Sequence, residues 1–138
     1  MILFTSDLLF GSKILGAAKY AGLRGQGVRN RAALVQHAPH ATHYFLDLEA
    51  ELAPDESAEE LLDAALGHPH LCVFAFAGHL QADKLRAAQT RLAAAGGAQT
   101  GLRHEVHSRG SLNSRLVEIL PPTPAAAPPA PASPEGDR

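Results

Sequence analysis

The chain has 138 residues, of which 46% are hydrophobic and 19% are charged, and its formal net charge is -2. This balance is typical of one globular domain, and the near-neutral charge without a basic run argues against a nucleic-acid partner. No stretch approaches the ~18 consecutive apolar residues of a membrane-spanning helix. The start of the chain also lacks the basic residues of a secretory signal. We therefore expect a cytoplasmic protein without a membrane or nucleic-acid partner.

The composition changes near residue 120. Seven of the ten prolines fall in the last 18 positions, where five alanines accompany them. Such a composition is typical of a solvated linker, because it offers no apolar surface for a core. We predict a folded domain over residues 1–120 and a disordered Pro/Ala-rich tail over residues 121–138.

Short apolar runs alternate with helical patterns along the predicted domain. Strands are predicted over residues 2–5, 23–29, 42–48, 71–76 and 102–107. Helices are predicted over residues 12–21, 31–37, 58–66, 81–95 and 112–120. Their predicted boundary residues are Gly22, Asn30, Gly67, Gly96, Gly97 and, as the cap of the last helix, Ser111.

The third and fourth predicted strands are apolar on both faces, so both faces must be covered. Strands that alternate with helices form a parallel sheet with helices on its two sides. The sequence therefore predicts an α/β fold: a three-layer, doubly wound, five-stranded parallel sheet of order 2-1-3-4-5, which is flavodoxin-like. The binding crevice of such sheets lies at the carboxyl ends of strands one and three. Asp7 follows the first of these strands and Asp47 lies at the end of the third.

These strand-end residues resemble the receiver domains of two-component response regulators, over residues 2–120. The run Phe-Leu-Asp-Leu at residues 45–48 is similar to the family's phosphate-accepting strand. The resemblance implies that Asp47 holds the phosphoacceptor position and that Asp7 and Asp47 are ligands for Mg²⁺. It also implies that Arg109 stands where the family has a lysine that contacts the phosphoryl group.

Three departures from the family pattern weaken the case for phosphorylation. Ser6 replaces one carboxylate of the family's acidic pair, so Mg²⁺ binding is expected to be weak. Phe76 or Ala77 stands where the family ends its fourth strand with a threonine or serine. Arg109 keeps a positive charge, but its planar guanidinium is not equivalent to a lysine ammonium.

We therefore expect a degenerate receiver that is not an enzyme and that acts in signalling as a protein-interaction module. The resemblance implies a histidine kinase or a downstream effector as partner, bound through residues 102–120. No cofactor other than weakly bound Mg²⁺ is expected.

Two other functions and two local roles remain open. The chain is alternatively a phosphorylatable single-domain response regulator, in which Asp47 accepts phosphate with Mg²⁺ in a phosphorelay. A flavodoxin-like small-ligand or enzyme domain would use the same crevice. Locally, Asp7 alone could cap the first helix, and Asp47 could cap a turn or pair with Arg109.

Overall fold

The computed structural model describes residues 1–94 and 103–123, which form one five-stranded sheet with helices on both faces. The strands are β1 (Ile2–Phe4), β2 (Gln26–Gly27), β3 (His43–Asp47), β4 (Cys72–Ala77) and β5 (His104–Ser108). The helices are α1 (Leu8–Tyr20), α2 (Arg31–His37), α3 (Ala58–Leu66), α4 (Ala82–Ala94) and α5 (Arg109–Ile119), with a 3₁₀ turn at Ala38–His40.

The sheet has the order β2-β1-β3-β4-β5, and every pair of neighbouring strands is parallel. The predicted fold class and strand order are confirmed. All five strands consequently end at the same edge of the sheet, which we call the carboxyl edge.

Alternating side chains divide the interior into two cores, one on each face of the sheet. Tyr44 and Leu46 of β3 belong to the core under α2, α3 and α4. Phe45 belongs to the opposite core, which α1 and α5 cover. Asp47 is two positions beyond Phe45, so its side chain lies on the α1/α5 face at the carboxyl edge.

Two helices begin several residues earlier than predicted. Helix α1 starts at Leu8 instead of residue 12, because the Asp7 carboxylate caps it by accepting a hydrogen bond from the backbone N–H of Phe10. Helix α5 starts at Arg109, and its cap is Ser108. The prediction of Ser111 as the cap is wrong, since the Ser108 hydroxyl accepts the hydrogen bond that the Ser111 N–H donates. Arg109 therefore follows β5 directly and opens α5.

The other predicted boundaries agree more closely with the structure. Asn30 caps α2, and α3 ends at Gly67 as predicted. Gly22 follows α1 with a φ of 78°, a conformation that glycine adopts without steric strain. Strand β2 has only two residues, because Gly25 and Gly27 interrupt the apolar pattern that a longer strand needs.

Parts of the predictions lie outside the described residues. These are the last predicted residue of the fourth helix, the glycine stop at residues 96–97, the first predicted residue of the last strand, and residues 124–138 of the predicted tail. The division into a domain and a disordered tail thus stays a prediction. The backbone N–H of Thr123 donates a hydrogen bond to the Tyr20 carbonyl over 3.0 Å, so the chain beyond α5 still contacts the end of α1. Within residues 1–94 and 103–123, no helix is both long enough and apolar enough to cross a membrane.

Candidate functional site

The carboxylate of Asp47 is buried at the carboxyl edge, with only 3% of the residue exposed. Its Oδ1 accepts a hydrogen bond of 2.9 Å from the backbone N–H of Glu49. Its Oδ2 accepts one of 2.7 Å from the Thr5 hydroxyl and one of 3.2 Å from Nη2 of Arg109. Because a buried carboxylate is costly without partners, these three donors explain how Asp47 remains in the interior.

Arg109 brings its guanidinium among three carboxylates. Nη2 lies 3.2 Å from Oδ2 of Asp47, Nε lies 3.5 Å from Oδ2 of Asp7, and Nη1 lies 3.6 Å from Oε2 of Glu49. The Arg109 side chain is 27% exposed, and its Nε is buried without a hydrogen-bond partner among the described residues. We call Thr5, Asp7, Asp47, Glu49 and Arg109 the carboxyl-edge site.

Two aromatic rings hold the guanidinium in place. The Cζ atom of Arg109 lies 5.6 Å from the ring centre of Phe10 and 5.4 Å from that of Phe76. The two rings pack edge to face, with their centres 5.2 Å apart. A cation is attracted to an aromatic face at such distances, and the attraction grows when water is excluded. Arg109 is therefore a packed part of the site and not a solvated surface side chain.

The Asp7 carboxylate both caps a helix and belongs to the group of charges around Arg109. Its Oδ1 caps α1, and its Oδ2 faces Nε of Arg109. Its backbone N–H donates to the Thr5 hydroxyl over 3.0 Å, so one hydroxyl links the loop after β1 to Asp47. Both local roles weighed from the sequence, the capping by Asp7 and the pairing of Asp47 with Arg109, are confirmed. Arg109 also brings the two aspartates into one cluster.

Sequence reasoning did not identify Thr5 and Glu49. Phe4 pairs with Leu46 in the sheet, so the next residues, Thr5 and Asp47, stand side by side. The signal for Thr5 is a hydroxyl residue directly after β1, but it points to Asp47 only once the register between β1 and β3 is known. Ser6 also contacts the loop after β3, where its hydroxyl accepts a hydrogen bond from the backbone N–H of Glu51.

Glu49 connects the site to the loop after β4. Its Oε2 accepts a hydrogen bond of 2.7 Å from the backbone N–H of Gly78 and faces Nη1 of Arg109. A Cβ atom at position 78 would stand 3.4 Å from the same oxygen, which is about van der Waals contact. Strand β4 ends at Ala77, a fully buried residue without a hydroxyl.

The residues present do not fit Mg²⁺ in this arrangement. Mg²⁺ requires near-octahedral oxygen coordination, which it commonly completes with water. At the carboxyl-edge site, however, Oδ2 of Asp47 is already bonded to Thr5 and Arg109, and a guanidinium repels a second cation. Within the described part of the chain, no three His, Cys, Asp or Glu side chains are arranged to hold a metal ion.

A separate cavity lies on the other face of the sheet. Its volume is about 380 Å³. Its lining includes Leu48, Leu52, Leu62, Lys84 and Arg91, between α3 and α4. None of the five residues of the carboxyl-edge site contributes to it, so this cavity is not the crevice that the sequence predicted.

The fold is that of response regulator receiver domains. NtrX from Brucella abortus, in a complex with ADP, matches with a TM-score of 0.63 and 16% identity over 86% of this chain and 25% of that chain. The receiver domain of NtrX from the same organism matches with a TM-score of 0.63 and 16% identity, over 86% of this chain and 92% of that chain. A CheY-like receiver domain protein from Methanospirillum hungatei JF-1 matches with a TM-score of 0.61 and 12% identity, over 86% of each chain.

These similarities concern the fold. The present chain spans about a quarter of the length of the longer NtrX chain. No protein-family model and no curated protein sequence matches it. The chemistry of the carboxyl-edge site must therefore support any function that we assign.

Proposed function

We propose that the chain is a degenerate receiver domain that acts in signalling through protein contacts and is not phosphorylated on Asp47. One observation carries this proposal. One carboxylate oxygen of Asp47, Oδ2, is held by both the Thr5 hydroxyl and the Arg109 guanidinium. An aspartate held in this way is a structural anion and a poor nucleophile.

Phosphorylation of Asp47 would require several changes together. A carboxylate oxygen would have to attack phosphorus, while the leaving group departs with the electron pair of the broken P–O bond. The donated bonds lower the nucleophilicity of Oδ2, and the burial of Asp47 limits the approach of a donor. The negative charge of the transferred group also needs a cation and hydrogen-bond donors. Ala77 supplies no hydroxyl for this purpose.

The alternative function, phosphorylation of Asp47, requires the Arg109 side chain to move. If its side chain swung outward, Asp47 would be free to accept phosphate with Mg²⁺ bound beside Asp7. The packing of the guanidinium over Phe10 and Phe76 argues against this movement. We keep the phosphorylatable regulator as the result that would overturn our proposal.

We place the partner surface on residues 102–120, where a histidine kinase or a downstream effector would bind. On α5, Val117 is apolar and 69% exposed, and Arg115 and Glu118 form a charged pair beside it. Such a mixture of an apolar side chain with a polar rim suits a protein contact. We propose that this contact, in the cytoplasm and without enzymatic activity, is how the module works.

The proposal is tested by offering the site a phosphoryl donor. The protein is incubated with Mg²⁺ and acetyl phosphate, and separately with Mg²⁺ and beryllofluoride, and then examined by intact mass and by amide NMR shifts. We expect neither a mass increase nor shifts around Asp47. An adduct in the wild type that disappears in Asp47→Asn would overturn the proposal and establish the phosphorylatable regulator.

A further inference from the structure

We propose that the cavity between α3 and α4 binds a small amphipathic carboxylate, whose apolar body fills the cavity and whose carboxylate group meets Lys84. We call this space the α3/α4 cavity. Its volume of about 380 Å³ is in the range of pockets that hold small molecules. This binding does not rest on the proposed function, because none of the lining residues belongs to the carboxyl-edge site.

The floor of the α3/α4 cavity is apolar. It is formed by the loop after β3 and by the two helices, and it includes Leu48, Ala50, Leu52, Leu62, Ala87 and Ala88. Helix α4 contributes alanines to this floor, and side chains of that size leave the space beside Leu62 unfilled. An apolar chain placed there leaves water, so its burial favours binding in proportion to the area that it covers.

Three charged side chains line the same cavity, and two of them are already matched. Arg91 is paired with Asp63, since its Nη1 donates to both carboxylate oxygens over 2.7 Å. Glu59 lies in the first turn of α3, where the helix dipole favours a negative charge. Lys84 has no ion-pair or hydrogen-bond partner among the described residues. The charge that a ligand can still match is therefore positive.

The dipole of α4 does not stabilise Lys84 either. The helix begins at Ala82, so the ammonium belongs to a residue of the first turn, where a positive charge is unfavourable. Lys84 is also exposed, so the charged end of a ligand that meets it stays in contact with water. A carboxylate with an apolar body matches both the floor and this cation. An ammonium with the same body would be repelled by Lys84.

The α3/α4 cavity and the carboxyl-edge site share the loop after β3. Leu48 and Ala50 line the cavity. Glu49, which stands between them, donates its backbone N–H to Asp47 and accepts a hydrogen bond from the Gly78 N–H. A ligand that packs against Leu48 and Ala50 thus contacts the short segment that holds Asp47. We expect its binding to be detected at the carboxyl edge as well.

The experiment uses sodium octanoate as the probe and follows the amide NMR shifts of the wild-type protein. We expect saturable shifts at residues 48–52, 58–62 and 84–91, and smaller ones at Asp47. Hexanoate should bind about tenfold more weakly than octanoate, because it buries two fewer methylene groups. Octylammonium should bind about fivefold more weakly, or worse, because Lys84 repels it.

Two variants with matched controls locate the probe. Lys84→Gln should weaken octanoate binding about fivefold, the effect of losing an exposed ion pair. Its control, Lys13→Gln on α1, lies on the other face of the sheet and should leave binding unchanged. Ala87→Leu fills the cavity and should weaken octanoate about tenfold or more. Its control is Ala93→Leu, on the same helix but outside the lining. All four substituted positions are exposed, so the fold should be retained.

Thermal unfolding gives a second measurement of the same binding. A ligand that binds only the folded state raises the melting temperature. Octanoate should therefore raise the melting temperature of the wild type and of Ala93→Leu, and should lose this effect in Ala87→Leu. Octanoate binding that does not saturate, that centres on other residues, or that survives Ala87→Leu unchanged would overturn the proposal. Tighter binding of octylammonium than of octanoate would also overturn it.

A second copy of the chain is the other occupant that the experiment detects. Shifts at the lining residues when the protein is diluted without octanoate would identify self-association through this cavity, and would refute a small-molecule site. The outcome for the proposed function is separate. A phosphoryl adduct on Asp47 would refute the absence of phosphorylation, whatever the affinity for octanoate.

Discussion

Two arginines bracket β5 on the same face of the sheet, and their surroundings differ. Arg103 precedes the strand, and its hydrogen-bonded partner Glu105 is only two positions away in the chain. Arg109 follows the strand and binds Asp47, which is 62 positions away. Both guanidiniums lie over phenylalanine rings. The side chains of Glu105 and Asp47, however, are 27% and 3% exposed.

The position of each arginine in the fold determines how much it contributes to stability. Near the amino end of β5, Arg103 forms local and partly hydrated ion pairs, which contribute little to stability. At the carboxyl edge, Arg109 joins the loops that follow β1 and β3, and through Glu49 also the loop that follows β4. Arginine therefore forms local ion pairs beside a strand in one place and connects the loops of a site in the other.

The largest expected difference is in folding stability. Replacing Arg109 by methionine keeps most of the side-chain volume but leaves the buried Asp47 carboxylate without its cation, and we expect a loss of about 3 kcal/mol. Arg103→Met should cost less than about 1 kcal/mol. Urea unfolding followed by far-ultraviolet circular dichroism measures both values. Adding Asp47→Asn to Arg109→Met should restore part of the loss. Equal losses for the two single variants would contradict the comparison.

A smaller effect is expected from the hydroxyl that shares Asp47 with Arg109. Thr5→Val removes a partly buried hydrogen bond to a charged group while keeping the shape of the side chain, so we expect a loss of about 2 kcal/mol. The matched control is Thr42→Val, because the Thr42 hydroxyl contacts the ring of His43 at an exposed position. That control should change the unfolding free energy by less than about 0.5 kcal/mol. Urea unfolding measures both free energies and shows whether Thr5→Val is more destabilising than Thr42→Val.

The smallest expected effect concerns acid stability near Arg103. Burial raises the pKa of Glu105, but hydrogen bonds from Arg103 and His107 more than offset it, so this pKa lies below its ordinary value of 4.5. A carboxyl whose pKa is depressed in the folded state stabilises the protein above its unfolded pKa, and this stability disappears as the pH falls through the folded pKa.

Glu105→Gln tests this dependence. Between pH 7 and pH 3 the wild type should lose slightly more unfolding free energy than the variant, by less than about 1 kcal/mol. Unfolding curves at several pH values measure the difference. A steeper acid dependence in the variant would show that the Glu105 carboxylate does not stabilise the fold.

Part of the site was visible in the sequence. Asp7 and Asp47 could be placed at one edge because both follow apolar runs of a parallel sheet, and Arg109 because it follows the last strand. Thr5 was not recognised, since its contact with Asp47 depends on the register between β1 and β3. Glu49 was not recognised either, because the loop after β3 must turn before its carboxylate reaches Gly78.

The amino-acid sequence by itself determined the parallel sheet, its strand order and the edge at which the aspartates lie. The parallel sheet follows from the alternation of strands and helices and from apolar residues on both faces of the central strands, and the strand order is that of the flavodoxin-like fold which this pattern matches. Only the tertiary structure decided that Arg109 turns inward over Phe10 and Phe76 to meet three carboxylates. The physical reason is that charges far apart in the chain neutralise one another only when folding excludes water and brings their loops together.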